Sequence, residues 1–142
     1  MLDLEGMARI LPLLFTPAIP IKMEEKRVLI VDDEADICNL LSWILRQRNL
    51  LPFAVNTLSD AQTALKKEEP AILFLDNYLP DGFGVEFLSF IKKNHPAVKI
   101  IMITAHDSYS EKQHALKKGA DFFISKPFTR ALINETIDSL IL

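Results

Sequence analysis

Five side chains in this sequence have the types and placement to do chemistry together: Asp32, Asp33, Asp76, Thr104 and Lys126. Three carboxylates, a hydroxyl and an amine suit the capture of a divalent cation and of a phosphoryl group. Asp76 closes the apolar run Ala71-Ile72-Leu73-Phe74-Leu75 and opens the turn Asn77-Tyr78-Leu79-Pro80-Asp81-Gly82. A short apolar run bounded by turn residues reads as a strand buried on both faces. A charge at its end cannot stay in the core unpaired, so Asp76 belongs at the strand's mouth. Alone, such an Asp is an ordinary turn residue; the other four residues are what single it out. Adjacent carboxylates such as Asp32 and Asp33 repel by about 4 kcal/mol at about 4 Å and an effective dielectric of about 20, a cost that a divalent cation relieves. Magnesium, which takes one or two carboxylates with waters and a phosphate, fits better than calcium, for which no EF-hand spacing appears. Asp76 can then attack a phosphoryl donor and carry an aspartyl phosphate. The cation and Lys126 would neutralise charge on the equatorial oxygens, and Thr104 offers a hydroxyl.

The elements that position these residues can be followed along the chain. Val28-Leu29-Ile30-Val31 is a continuous β-rich run that ends in Asp32-Asp33-Glu34,. Ile37, Leu40, Leu41, Ile44 and Leu45 then follow helical spacing, with Cys38 and Trp43 expected to pack at the flank,. Glu34 and Asp36 fit the positive end of that helix's macrodipole. Phe53-Ala54-Val55 reads as a weaker strand near the sheet edge. Ser59 and Gln62 have the spacing of a capping box for the next helix, whose inward face is Ala61, Ala64 and Leu65,. Phe87, Leu88 and Ile91 mark a third helix, closed at His95-Pro96. Residues 98–103 form a buried strand that delivers Thr104, and residues 107–118 a weakly apolar helix stopped by Gly119,. Weak anchoring of that helix implies that it can shift. Residues 121–125 are the last strand, followed at once by Lys126-Pro127, a bond of the kind that can be cis,. Thr129 caps a final helix facing the sheet with Leu132, Ile133, Ile137, Leu140 and Ile141,.

Five strands alternating with five helices predict an α/β fold with a parallel sheet and right-handed crossovers. Ligands of such sheets bind outside the carboxyl ends of the strands, where all five chemical residues fall. The chain of 142 residues suits one domain, and its net charge of −3 gives no electrostatic footprint for nucleic acid or an anionic membrane,. Cys38 is the only cysteine, which excludes an intrachain disulfide and a multi-cysteine zinc site,; a cytoplasmic location is the simplest reading. Residues 10–21 are apolar but broken by Pro12, Pro17 and Pro20, and too short to span a bilayer,. Residues 1–25 therefore read as an extension outside the domain, and 26–142 as the domain itself.

The pieces Val28-Leu29-Ile30-Val31-Asp32-Asp33-Glu34, Leu75-Asp76-Asn77-Tyr78-Leu79-Pro80-Asp81-Gly82, Ile103-Thr104-Ala105 and Ser125-Lys126-Pro127-Phe128 make the chain resemble a response-regulator receiver domain of bacterial two-component signalling, similar to the chemotaxis regulators. The resemblance implies a flavodoxin-like, doubly wound five-stranded sheet of order 2-1-3-4-5. It implies that Asp76 accepts a phosphoryl group from a sensor histidine kinase or phosphotransfer protein. Magnesium would be held by Asp32, Asp33, Asp76 and the backbone carbonyl of Asn77, with Thr104 and Lys126 on the phosphoryl group. It further implies that Thr104 and Phe123 form the switch and that Tyr78 and His106 tune dephosphorylation. The output would be a change on the face of the fourth helix, fifth strand and fifth helix, read by a downstream protein or a second copy. No DNA-binding module, no direct nucleic-acid contact and no membrane contact are expected. A phosphohydrolase would want a second acid where Tyr78 stands, and a flavodoxin-like nucleotide binder would need a phosphate-cradling loop where Asp32-Asp33-Glu34 repels phosphate.

Overall fold

A computed structural model describes residues 26–141. The expected extension at 1–25 and the inward placement of the Ile141 side chain lie outside the described residues. Strands β1 (Arg27–Val31), β2 (Leu51–Val55), β3 (Ile72–Leu75), β4 (Lys99–Thr104) and β5 (Phe122–Ser125) alternate with helices α1 (Ala35–Gln47), α2 (Leu58–Glu68), α3 (Gly84–Asn94), α4 (Tyr109–Lys118) and α5 (Arg130–Ile141). The five strands form one parallel sheet in the order β2-β1-β3-β4-β5. This is the doubly wound α/β arrangement, with strand order 2-1-3-4-5, that the alternation and the resemblance imply,.

Alternation along each strand divides the core in two. Val28, Ile30 and Phe74 face α1 and α5, where Leu41, Ile44, Leu45, Ile133 and Ile137 are buried. Leu29, Val31, Leu73 and Leu75 face the other layer, which contributes Leu65 of α2, Leu88 and Ile91 of α3, and Ala115 of α4. Pro52 is tolerated because β2 lies at the sheet edge, where a ladder has to be satisfied on one side only,.

Five expectations about helix faces and starts need correction. Trp43 is 50% exposed and Leu40 44%. Helical geometry puts them about 160° and about 100° around the axis from Leu41, outside the stripe that reaches the sheet. The Trp43 ring instead receives the Arg130 guanidinium, 5.0 Å from its centroid,. Leu132 is 40% exposed, about 100° round from the buried Ile133,. The cap of α2 is Thr57, not Ser59: its side chain accepts the Asp60 N–H at 3.1 Å. Asp81, from the turn after β3, accepts the Leu58 and Ser59 N–H groups at 2.8 and 3.0 Å, so the helix begins earlier than the Ser59 spacing suggests. Similarly, α4 starts at Tyr109 behind a Ser108 cap. Thr129 caps α5 as expected, accepting the Leu132 N–H at 3.1 Å.

Candidate functional site

Register brings the site together. Val31 lies opposite Leu75, so the residues that follow them, Asp32 and Asp76, leave neighbouring strands side by side. The ladder continues into the site: Asp76 N–H donates to the Val31 carbonyl at 2.9 Å, and Asp32 N–H to the Val55 carbonyl at 3.1 Å. Thr104 faces Ser125 across β4 and β5, and Lys126 N–H donates to the Thr104 carbonyl at 2.9 Å. Asp32, Asp76 and Thr104 are buried, while Asp33 is exposed at the rim. One carboxylate oxygen from each of Asp32, Asp33 and Asp76 lies within 4.8 Å of the others, a hard-oxygen donor set that fits a small divalent cation,.

Lys126 reaches into this group. Its Nζ lies 2.8 Å from Asp32 Oδ2, 2.8 Å from Glu34 Oε1 and 3.4 Å from Asp76 Oδ2. Burial alone would lower its pKa, but the bonds to Asp32 and Glu34 and the nearby Asp76 charge outweigh it and hold the ammonium above its ordinary value,. Burial raises the Asp76 pKa; Lys126 opposes that shift and the Asp32 charge adds to it. The Cys38 thiol is also pushed up, by burial first and by Asp32 second, and behaves as packing.

The flanking turn is built to place Asp76. Gly84 N–H donates to the Asn77 carbonyl at 2.8 Å, and Val85 N–H to the Asn77 side chain at 2.9 Å, starting α3. Gly84 is required by close approach, since a Cβ there would meet the Asp76 carbonyl oxygen at 2.3 Å. Thr104 does not bond Asp76; its hydroxyl accepts the His106 N–H at 3.2 Å. Phe123 is half-buried against the layer of α2, α3 and α4. The Tyr78 and His106 rings lie in contact, with centroids 3.9 Å apart and planes tilted by 37°. The Tyr78 hydroxyl donates to Glu111 at 2.7 Å, which keeps the phenol's pKa above its ordinary value. The Lys126–Pro127 bond is cis.

Several supporting residues were invisible in the sequence. Glu34 is the N-cap residue of α1, the helix end where the macrodipole reading placed it, and its side chain makes no cap bond but pairs with Lys126,. Asp32 accepts the Glu34 N–H at 2.8 Å on Oδ1, while Asn56 Nδ2 and Cys38 Sγ donate to its backbone carbonyl. Nothing local in the sequence connects Asn56 or Glu111 to the site, because Asn56 arrives from the loop after β2 and Glu111 from the first turn of α4.

Comparison with known proteins gives the family. The profile of the response regulator receiver domain matches residues 28–138. The chain is 34% identical over 115 residues to the response regulator protein PilR of Pseudomonas aeruginosa, covering 81% of this chain and 26% of PilR. It is 39% identical over 106 residues to the nitrogen assimilation regulatory protein NtrX of Azorhizobium caulinodans, covering 71% of this chain and 23% of NtrX. The solution structure of the beryllofluoride-activated NtrC4 receiver domain dimer superposes with a TM-score of 0.77 at 40% identity, covering 80% of this chain and 94% of that one. The chain belongs to the response-regulator receiver family of two-component signalling, and spans about a quarter of PilR and NtrX. Among the described residues no helix is long and apolar enough to cross a membrane.

Proposed function

We propose that the chain is a phosphorylation-controlled signalling switch in which Asp76 takes a phosphoryl group from the phosphohistidine of a sensor kinase or phosphotransfer protein. An Asp76 oxygen forms the new bond to phosphorus, the P–N bond to the histidine breaks, and its electron pair returns to the imidazole. Magnesium would be held by Asp32, Asp33, Asp76 and the Asn77 carbonyl, and when bound it neutralises charge on the transferring oxygens. Lys126 supplies fixed positive charge beside the same oxygens, and the Thr104 hydroxyl gives up its bond to His106 N–H to reach them,. Phe123 then repacks behind Thr104, and the face of α4, β5 and α5 changes for a downstream protein or a second copy. The similar NtrC4 receiver, an activated dimer by its description, supports self-association as one such output. We assign the chain to the cytoplasm as a regulatory phosphoacceptor and not a turnover enzyme, with Tyr78 and His106 tuning loss of the phosphoryl group and with no nucleic-acid or membrane contact of its own.

The observation that carries this reading is the placement of Asp76: buried at a strand mouth, between a paired lysine and two further aspartates whose oxygens converge within 4.8 Å. The test is intact mass after incubation with acetyl phosphate, with and without magnesium. Wild type should gain one phosphoryl group only with magnesium, and Asp76→Asn none. A folded wild-type protein that gains nothing, or a mutant that gains as much, would overturn it.

A further inference from the structure

Ser108-Tyr109-Ser110-Glu111 has the spacing of a capping box, in which the glutamate folds back onto the N–H of the cap residue,. Ser108 plays its half, accepting the Glu111 N–H at 3.2 Å. Glu111 does not play the other half. Its Oε1 accepts the Tyr78 hydroxyl at 2.7 Å, and its Oε2 is buried with no partner among the described residues. The carboxylate has given up a local backbone donor for a ring two residues beyond Asp76. That ring is held on other sides by His106, with centroids at 3.9 Å, and by Phe83 edge-on at 5.5 Å. These aromatic contacts permit sliding; the hydrogen bond to Glu111 fixes direction.

Topology says what the bond spans. Tyr78 belongs to the loop after β3 and its N–H donates to Asp76 Oδ1 at 3.4 Å, while Glu111 belongs to the first turn of α4, after β4. β3 and β4 are neighbours in the sheet, so the Tyr78–Glu111 bond bridges the two loops that rim Asp76 and Thr104. We propose that Glu111 is a positioning residue that pins the Tyr78 ring across this rim and so slows loss of the phosphoryl group to water; this rests on Asp76 being the phosphoacceptor. In that loss a water oxygen forms a bond to phosphorus, the P–O bond to Asp76 breaks, and its electron pair returns to the carboxylate. The water's protons leave with phosphate and solvent. A ring that swings free opens the rim to the attacking water.

The test uses the full chain, loaded with acetyl phosphate and magnesium, freed of donor and followed by intact mass. Glu111→Ala should lose the phosphoryl group about threefold to tenfold faster than wild type, the range that one hydrogen bond's net worth converts to. Glu111→Gln, whose amide oxygen still accepts from Tyr78, should stay within about twofold of wild type. Tyr78→Phe should resemble Glu111→Ala, and adding Glu111→Ala to Tyr78→Phe should change nothing further. An unchanged lifetime in Glu111→Ala, additive effects in the double variant, or failure of Glu111→Gln to restore the lifetime would each overturn the proposal with the switch left standing. A wild type that takes up no phosphoryl group would overturn both.

Discussion

Helices α1 and α4 do parallel jobs and are held in opposite ways. Each follows a strand whose carboxyl end delivers a site residue, Asp32 just after β1 and Thr104 at the end of β4. In α1 the side chains of Cys38, Leu41, Ile44 and Leu45 are buried; in α4 only Ala115 is. Full burial of a leucine or isoleucine contributes about 1.5–3 kcal/mol, and an alanine methyl well under half of that. The α1 side is therefore fixed by apolar packing, which suits the wall that carries Asp32, Asp33 and the Lys126 pairs. The α4 side depends instead on polar ties at its first turn, the Ser108 cap and the Tyr78–Glu111 bond, with little apolar packing behind them. A switch needs one wall that stays and one that moves, and the sequence distributes its large apolar residues accordingly.

The comparison breaks most directly by truncating each helix's anchor. Leu41→Ala should cost about 3 kcal/mol in denaturant unfolding, whereas Ala115→Gly should cost about 1 kcal/mol, mostly helix propensity. Equal costs would erase the distinction between the two walls. A smaller effect of opposite sign is expected at the mouth between them. The folded-state pKa of Asp76 is raised by burial, so the folded protein holds that proton more tightly than the unfolded chain does. Its contribution to stability is present below the ordinary carboxylate range and is lost as pH rises through the raised folded value. In metal-free buffer at neutral pH, Asp76→Asn should therefore melt higher, by on the order of 1 kcal/mol, with the gain shrinking as pH falls into the carboxylate range. A mutant that is less stable at neutral pH would show the ion pair with Lys126 outweighing the burial of the charge.

The strands and the five chemical residues were readable because they use the simplest code available: an apolar run with a polar residue at its end. Asp76, Thr104 and Lys126 declare themselves by interrupting or ending such runs. Helix faces were less readable. Periodicity in α1 names Leu40 and Leu41 alike, and only the position of the sheet decides that Leu41 is covered and Leu40 is not. Trp43 looked like packing by residue type, yet it lies outside the buried stripe, under Arg130. Glu34 and Glu111 both occupy helix starts where a local role is the natural reading, and both spend their carboxylates on residues 92 and 33 positions away. Partners that distant in the chain exist only once the loops have met.

The central claim, that a phosphoryl group on Asp76 moves the lightly anchored wall and spares the other, is tested most directly by hydrogen exchange read peptide by peptide, before and after phosphorylation. The account predicts altered exchange across residues 105–118, the loop after β4 and α4 itself, with α1 (Ala35–Gln47) unchanged and with no change anywhere in Asp76→Asn,. Exchange in α1 that shifts as much as in α4, on protein shown by mass to carry the phosphoryl group, would contradict it.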